Sequence, residues 1–159
     1  FLNRQGERFD LIFVDVFNSH YAVPFQMGTV EAAQALRRAV APGGAVLMNV
    51  ISAVEGEDGR LFHSIFKALS ASFAEVQVYC VSRPDRPGEV QNLMVAAFPE
   101  KRDSAAPLHA NGAAAVTRGQ AAVETMLASR YTGPLEFATP PLTDDFAPVE
   151  RYALMLLRQ

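Results

Sequence analysis

The sequence predicts an α/β fold, a mostly parallel sheet with helices packed on it and an antiparallel pair at one edge. Three observations carry this. Apolar runs at Leu11–Val14, Ala45–Val50 and Asn92–Phe98 read as buried strands, the first of them buried on both faces because it does not alternate. Segments with helical spacing separate the first strand from the second and follow the second. The turn-rich connection Arg83–Glu89 is too short for a parallel crossover, so the last two strands run antiparallel.

Each element has local reasons. Gly28–Val40 reads as a helix, with Thr29 as cap, Glu31 in the first turn, and Val30, Ala33, Leu36 and Val40 on one face. The sequence Ala41-Pro42-Gly43-Gly44 stops it before the strand at Ala45–Val50. Asp58 is placed to cap a second helix whose Leu61, Phe62, Ile65, Phe66 and Leu69 form an inward stripe, with His63 on its surface. From Phe73 to Val81 the period is two, with Val76, Val78 and Cys80 on one face and Glu75, Gln77 and Tyr79 on the other. After Pro99 the chain turns alanine- and glycine-rich. Gln120–Arg130 reads as an amphipathic helix with Val123, Met126 and Leu127 inward, and Val149–Arg158 as a terminal helix after a proline-punctuated loop.

Composition excludes several classes of function. The chain has 159 residues, half of them apolar and 19% charged, which fits one ordinary core. A formal charge of -3 with no basic cluster gives no basis for nucleic acid binding. No apolar run is long enough for a membrane segment. The single cysteine, Cys80, alternates with Val76 and Val78 as a packing residue and fits a reducing, cytoplasmic setting. His20, His63 and His109 are scattered, so no metal site is expected. The chain opens on Phe1-Leu2, with no initiator Met, and enters a strand almost at once. That predicts a fragment, an excised domain, or a chain whose amino-terminal part is absent.

The polar residues that follow the first strand are the first candidates for chemistry. Asp15 stands at its end, with Val16, Phe17, Asn18, Ser19, His20 and Tyr21 after it. A carboxylate there either caps the next turn, with Asn18 and Ser19 as turn formers, or serves a ligand beyond the strand ends. Thr143, Asp144 and Asp145 form a second polar group, read either as a solvated turn or cap or as acids folded over a pocket. Asn49, Tyr21, His20 and Gln26 line that pocket or meet solvent or a turn.

The stretches RFDLIFVDVFNS, APGGAVLMNV, FAEVQVYCV, NLMVAAF and LTDDFAPVERY resemble the spermidine synthase-like group of class I S-adenosylmethionine-dependent transferases. The resemblance covers nearly the whole chain in the family's order. It implies the fourth to seventh strands of a Rossmann-like class I methyltransferase sheet with helices on both faces. Residues 1–99 would be the carboxyl-terminal part of that domain, and 100–159 a family-specific connector and terminal helices packed on it. The family's glycine-rich loop, ribose-binding acid and adenine-reading pair would lie ahead of this chain.

The resemblance implies transfer of an aminopropyl or methyl group from decarboxylated S-adenosylmethionine or S-adenosylmethionine to an amine-like small molecule, without a metal. Asp15 would be the catalytic carboxylate that binds the acceptor ammonium and takes its proton. Asn18, Ser19, Tyr21, Asp144 and Asp145 would contact the substrate, and Asp15 and Val16 would form part of the donor site. Family members that make spermidine carry a second acid where Asn18 stands, so a diamine loses an ion-pair partner here. A small-molecule methyltransferase and a non-catalytic binding or assembly domain with the same fold stay open. A strand edge left bare by absent neighbours would favour a homodimer.

Overall fold

The structure, a computed structural model, describes residues 6–15, 25–102, 124–148 and 152. Its elements are β1 (Phe9–Asp15), α1 (Val30–Ala39), β2 (Val40–Ser52), α2 (Arg60–Ser70), β3 (Glu75–Cys80) and β4 (Gln91–Phe98). Single 3-10 turns at Phe25–Gly28 and Glu57–Gly59 precede the two helices.

The four strands lie in the order β1-β2-β4-β3. β1 pairs parallel with β2, whereas β4 is antiparallel to both β2 and β3. The sheet is therefore mixed rather than mostly parallel. The final hairpin forms as expected, but the antiparallel strand is the inner one. β4 buries Leu93, Val95, Ala96 and Ala97 and belongs in the middle of the sheet. β3 takes the outer position, where the half-buried Glu75 keeps access to water.

α1 begins where expected. Thr29 is extended and its hydroxyl accepts a hydrogen bond from the Ala32 amide at 3.2 Å. The residues 41–44 do not separate helix from strand; Val40 both ends α1 and begins β2. In the β1–β2 ladder, Phe9 faces Val40 while Leu11 faces Ala45, so residues 41–44 bulge opposite Asp10. Gly44 permits this, because a Cβ there would lie 2.7 Å from the Asp10 carbonyl oxygen.

Asp58 does not cap α2. It lies in the preceding 3-10 turn, and Gly59 occupies the cap position without a side-chain bond. Ser52, at the end of β2, does part of the work: its hydroxyl accepts from the Phe62 amide at 3.4 Å and donates to the Asp58 carbonyl at 3.1 Å. The predicted stripe of Leu61, Phe62, Ile65 and Leu69 is fully buried, with Phe66 partly so. Such side chains contribute roughly 1.5–3 kcal/mol each on burial.

Both helices share one face of the sheet, packing on Val46, Met48, Val50, Val78, Leu93 and Val95. On the opposite face Tyr79, Ala96 and Phe98 cluster with Ala45, Leu47, Met94 and Met126. Met126 comes from helical residues 124–128 of the predicted Gln120–Arg130 helix; Ser129 and Arg130 leave the helix, Leu127 is exposed rather than inward, and residues 120–123 lie outside the described residues. So does the predicted terminal helix, apart from a helical, buried Tyr152. β1 is not buried on both faces: Leu11 and Phe13 are 57% and 56% exposed. Their side of this edge strand carries no covering element among the described residues, and only Ile12 and Val14 turn toward the helices.

Candidate functional site

The β1–β2 ladder ends with Asp15 facing Asn49. Val14 and Met48, one residue earlier on each strand, point into the core beneath the helices. By strand alternation Asp15 and Asn49 point to the other face, beyond Phe13 and Leu47. The Asn49 Nδ2 donates to Asp15 Oδ1 at 3.3 Å. Asp15 is exposed and Asn49 half-buried. This is the carboxyl end of two adjacent parallel strands, where open α/β sheets place ligands. Among the described residues only Oδ1 of this carboxylate is bonded, and a carboxylate can hold a cation and accept a proton. Val16, Asn18, Ser19 and Tyr21, named from the sequence as donor and substrate contacts, lie outside the described residues.

Asp144 and Asp145 occupy a tight turn in which Thr143 and Phe146 exchange backbone hydrogen bonds of 3.0 and 3.1 Å. Leu142, just before it, is buried in the core, and its carbonyl accepts the Val30 amide at 2.9 Å. Asp144 Oδ1 accepts the Thr29 hydroxyl at 2.7 Å, and the Asp144 amide donates to Glu31 Oε2 at 3.1 Å. The Asp144 carboxylate therefore sits at the positive end of α1. Asp145 is exposed beside it. No hydrogen bond among the described residues joins either acid to Asp15.

A third group was not foreseen from the sequence. His63, expected at the surface, is only 7% exposed. Its Nε2 lies 2.7 Å from the Val54 carbonyl oxygen, which can only accept, so that nitrogen carries the hydrogen. The ring stacks on Phe137 at 3.8 Å and 8°. Burial lowers the pKa of His63; the Val54 contact and Glu57 oppose this and Arg60 adds to it. Gly59 makes the seat possible, since a Cβ there would lie 2.5 Å from Nε2. Beside this stack an open cleft of about 490 Å³ is lined by Gly56, Arg60, Phe137, Thr139 and Tyr152. Asp15 does not line it. Helical spacing marked His63 as a helix residue but carried no sign of residues 135–142 crossing over it.

Further along the strand ends, Tyr131 donates to Glu55 Oε1 at 2.8 Å. Burial and that carboxylate push the Tyr131 pKa up to about 12, so its hydroxyl stays a neutral donor. Cys80 is buried and its thiol pKa is raised by that burial, consistent with packing. Among the described residues no three His, Cys, Asp or Glu side chains gather to hold a metal ion, and no helix is long and apolar enough to cross a membrane.

No family model and no curated protein matches the sequence. Among solved structures, the fold resembles that of a probable spermidine synthase from Corynebacterium glutamicum ATCC 13032. The match has a TM-score of 0.59 at 19% identity and covers 87% of this chain and 48% of that one. The chain thus spans about half the length of the protein it resembles. At this identity the likeness establishes a shared α/β fold.

Proposed function

We propose that this chain is the acceptor-side part of a spermidine synthase-like transferase, in which Asp15 receives an amine and its proton. The observation that carries the reading is the Asp15–Asn49 pair at the carboxyl end of adjacent parallel strands, in a fold like that of a probable spermidine synthase. A primary amine arrives as an ammonium ion with no lone pair to attack. Asp15 binds it, takes one proton, and frees the nitrogen. That nitrogen forms a C–N bond to the donor's propyl carbon while the C–S bond breaks and its electron pair neutralises the sulfonium. Alignment of nitrogen and carbon supplies much of the rate, and the carboxylate adds general-base catalysis of about 10²–10⁴-fold.

The described residues at these strand ends offer a carboxylate and an amide, which suits a cation. We assign the donor, decarboxylated S-adenosylmethionine, to Asp15 and Val16 on the family resemblance alone. Asp144 holds α1 through Oδ1 and its amide, and it and Asp145 are both exposed, so we assign both acids of this turn to the acceptor on the family resemblance. A buried lone cysteine suits a reducing cytoplasm.

The donor is tested by thermal unfolding of the intact protein with each nucleoside separately. Decarboxylated S-adenosylmethionine at about 100 times its Kd raises stability by about 2.7 kcal/mol and S-adenosylmethionine by much less. Selective stabilisation by S-adenosylmethionine would instead indicate methyl transfer. Indifference of the intact protein to both would contradict the transferase reading.

A further inference from the structure

We propose that Asn49 is a positioning residue for Asp15, holding one carboxylate oxygen so that the other faces the incoming amine. The inference rests on the reading of Asp15 as the proton acceptor. It stands on three features of the sheet. First, the parallel register makes Asp15 and Asn49 direct neighbours at the last pair of the ladder, and both side chains leave on the face opposite the helices. Second, the contact is made, Nδ2 to Oδ1 at 3.3 Å, and an ionised carboxylate only accepts, so the amide must present its NH₂ end.

Third, the two residues differ in how firmly they are mounted. Asp15 is the last residue of β1, whereas β2 continues past Asn49 to Ser52. β2 lies between β1 and β4, and Asn49 is paired on its other side with Met94. The inner strand thus supplies the fixed donor, and the strand tip supplies the group that needs fixing. Without the amide, the Asp15 carboxyl would rotate between orientations, only some of which present a lone pair to the acceptor. A carboxylate in place of the amide would repel Asp15, and a hydrocarbon would leave it unheld. The amide fixes Asp15 while leaving the site with a single negative charge for a single ammonium.

The contact is tested in the full chain, labelled with ¹⁵N, by following the Asn49 side-chain NH₂ signals through an acid titration. The expected result is a shift with one inflection in the wild type that is absent in Asp15→Asn. An amide that ignores acidification, or that shifts equally in Asp15→Asn, overturns the proposal. Transfer from decarboxylated S-adenosylmethionine to an amine by the intact protein supplies the second readout. Asn49→Leu should lower kcat about tenfold with KM changed less than about twofold, and Asn49→Gln should recover part of the loss. On the Asp15→Asn background, Asn49→Leu should cost nothing further; a fully additive loss overturns the positioning role. If the wild type transfers nothing, the catalytic reading of Asp15 fails, while the titration still decides the Asn49 contact.

Discussion

His63 shows how one side chain can tie together segments far apart in sequence. From α2 it donates to the Val54 carbonyl beyond β2 and stacks on Phe137 of the crossing segment. Because burial lowers its pKa, the unfolded chain binds a proton that the folded chain resists. This contribution to stability is therefore complete above the unfolded value of 6.5 and is lost as pH falls from there through the lower folded value. In His63→Gln an amide nitrogen can still donate to Val54 but does not titrate. Urea unfolding at pH 7.5 and 5.5 should show a smaller acid loss in the variant than in the wild type, after a cost of about 1 kcal/mol at pH 7.5. Equal acid sensitivity in the two proteins would remove His63 from the account.

At the scale of elements, α1 depends on a segment more than a hundred residues away in the chain. Thr29 caps its own helix, and Leu142 and Asp144 dock onto the same turn. Thr29→Ala and Asp144→Ala should each cost about 1 kcal/mol, with Asp144→Asn costing less because the amide oxygen still accepts. A double-mutant cycle between positions 29 and 144 should show coupling of about 1 kcal/mol, and strict additivity would place the acid outside the cap. The Thr29 cap, the α2 stripe and the alternation of β3 were legible because they are local periodicities and a local hydroxyl–amide contact. The position of β4, the role of Ser52 in place of Asp58, and the burial of His63 were not. Each depends on a partner brought close by the fold, Val50 facing Leu93 across the sheet, Phe62 across a turn, Phe137 across the surface. The same limit applied to the site: the strand pattern located Asp15 at its tip, but Asn49 became its partner only through the β1–β2 register.

For the whole molecule, the sheet is covered unevenly. Two helices fill one face, while β1 presents Leu11 and Phe13 on the other and keeps an outer edge with no strand beside it among the described residues. Unpaired backbone flanked by apolar side chains is a template for strand addition. Light scattering of this chain should show concentration-dependent self-association that Phe13→Lys reduces, whereas a monomer at every concentration would mean that the edge is protected. The same strand delivers Asp15 to the proposed acceptor site, so β1 links the open side of the fold to its chemistry. The central claim is that Asp15 takes the amine's proton. It is tested most directly by the single-turnover rate of amine alkylation by decarboxylated S-adenosylmethionine in the intact wild-type protein and its Asp15→Asn variant. A fall of about 10²-fold or more, with the fold intact by circular dichroism, is the predicted result; an unchanged rate in the variant would contradict it.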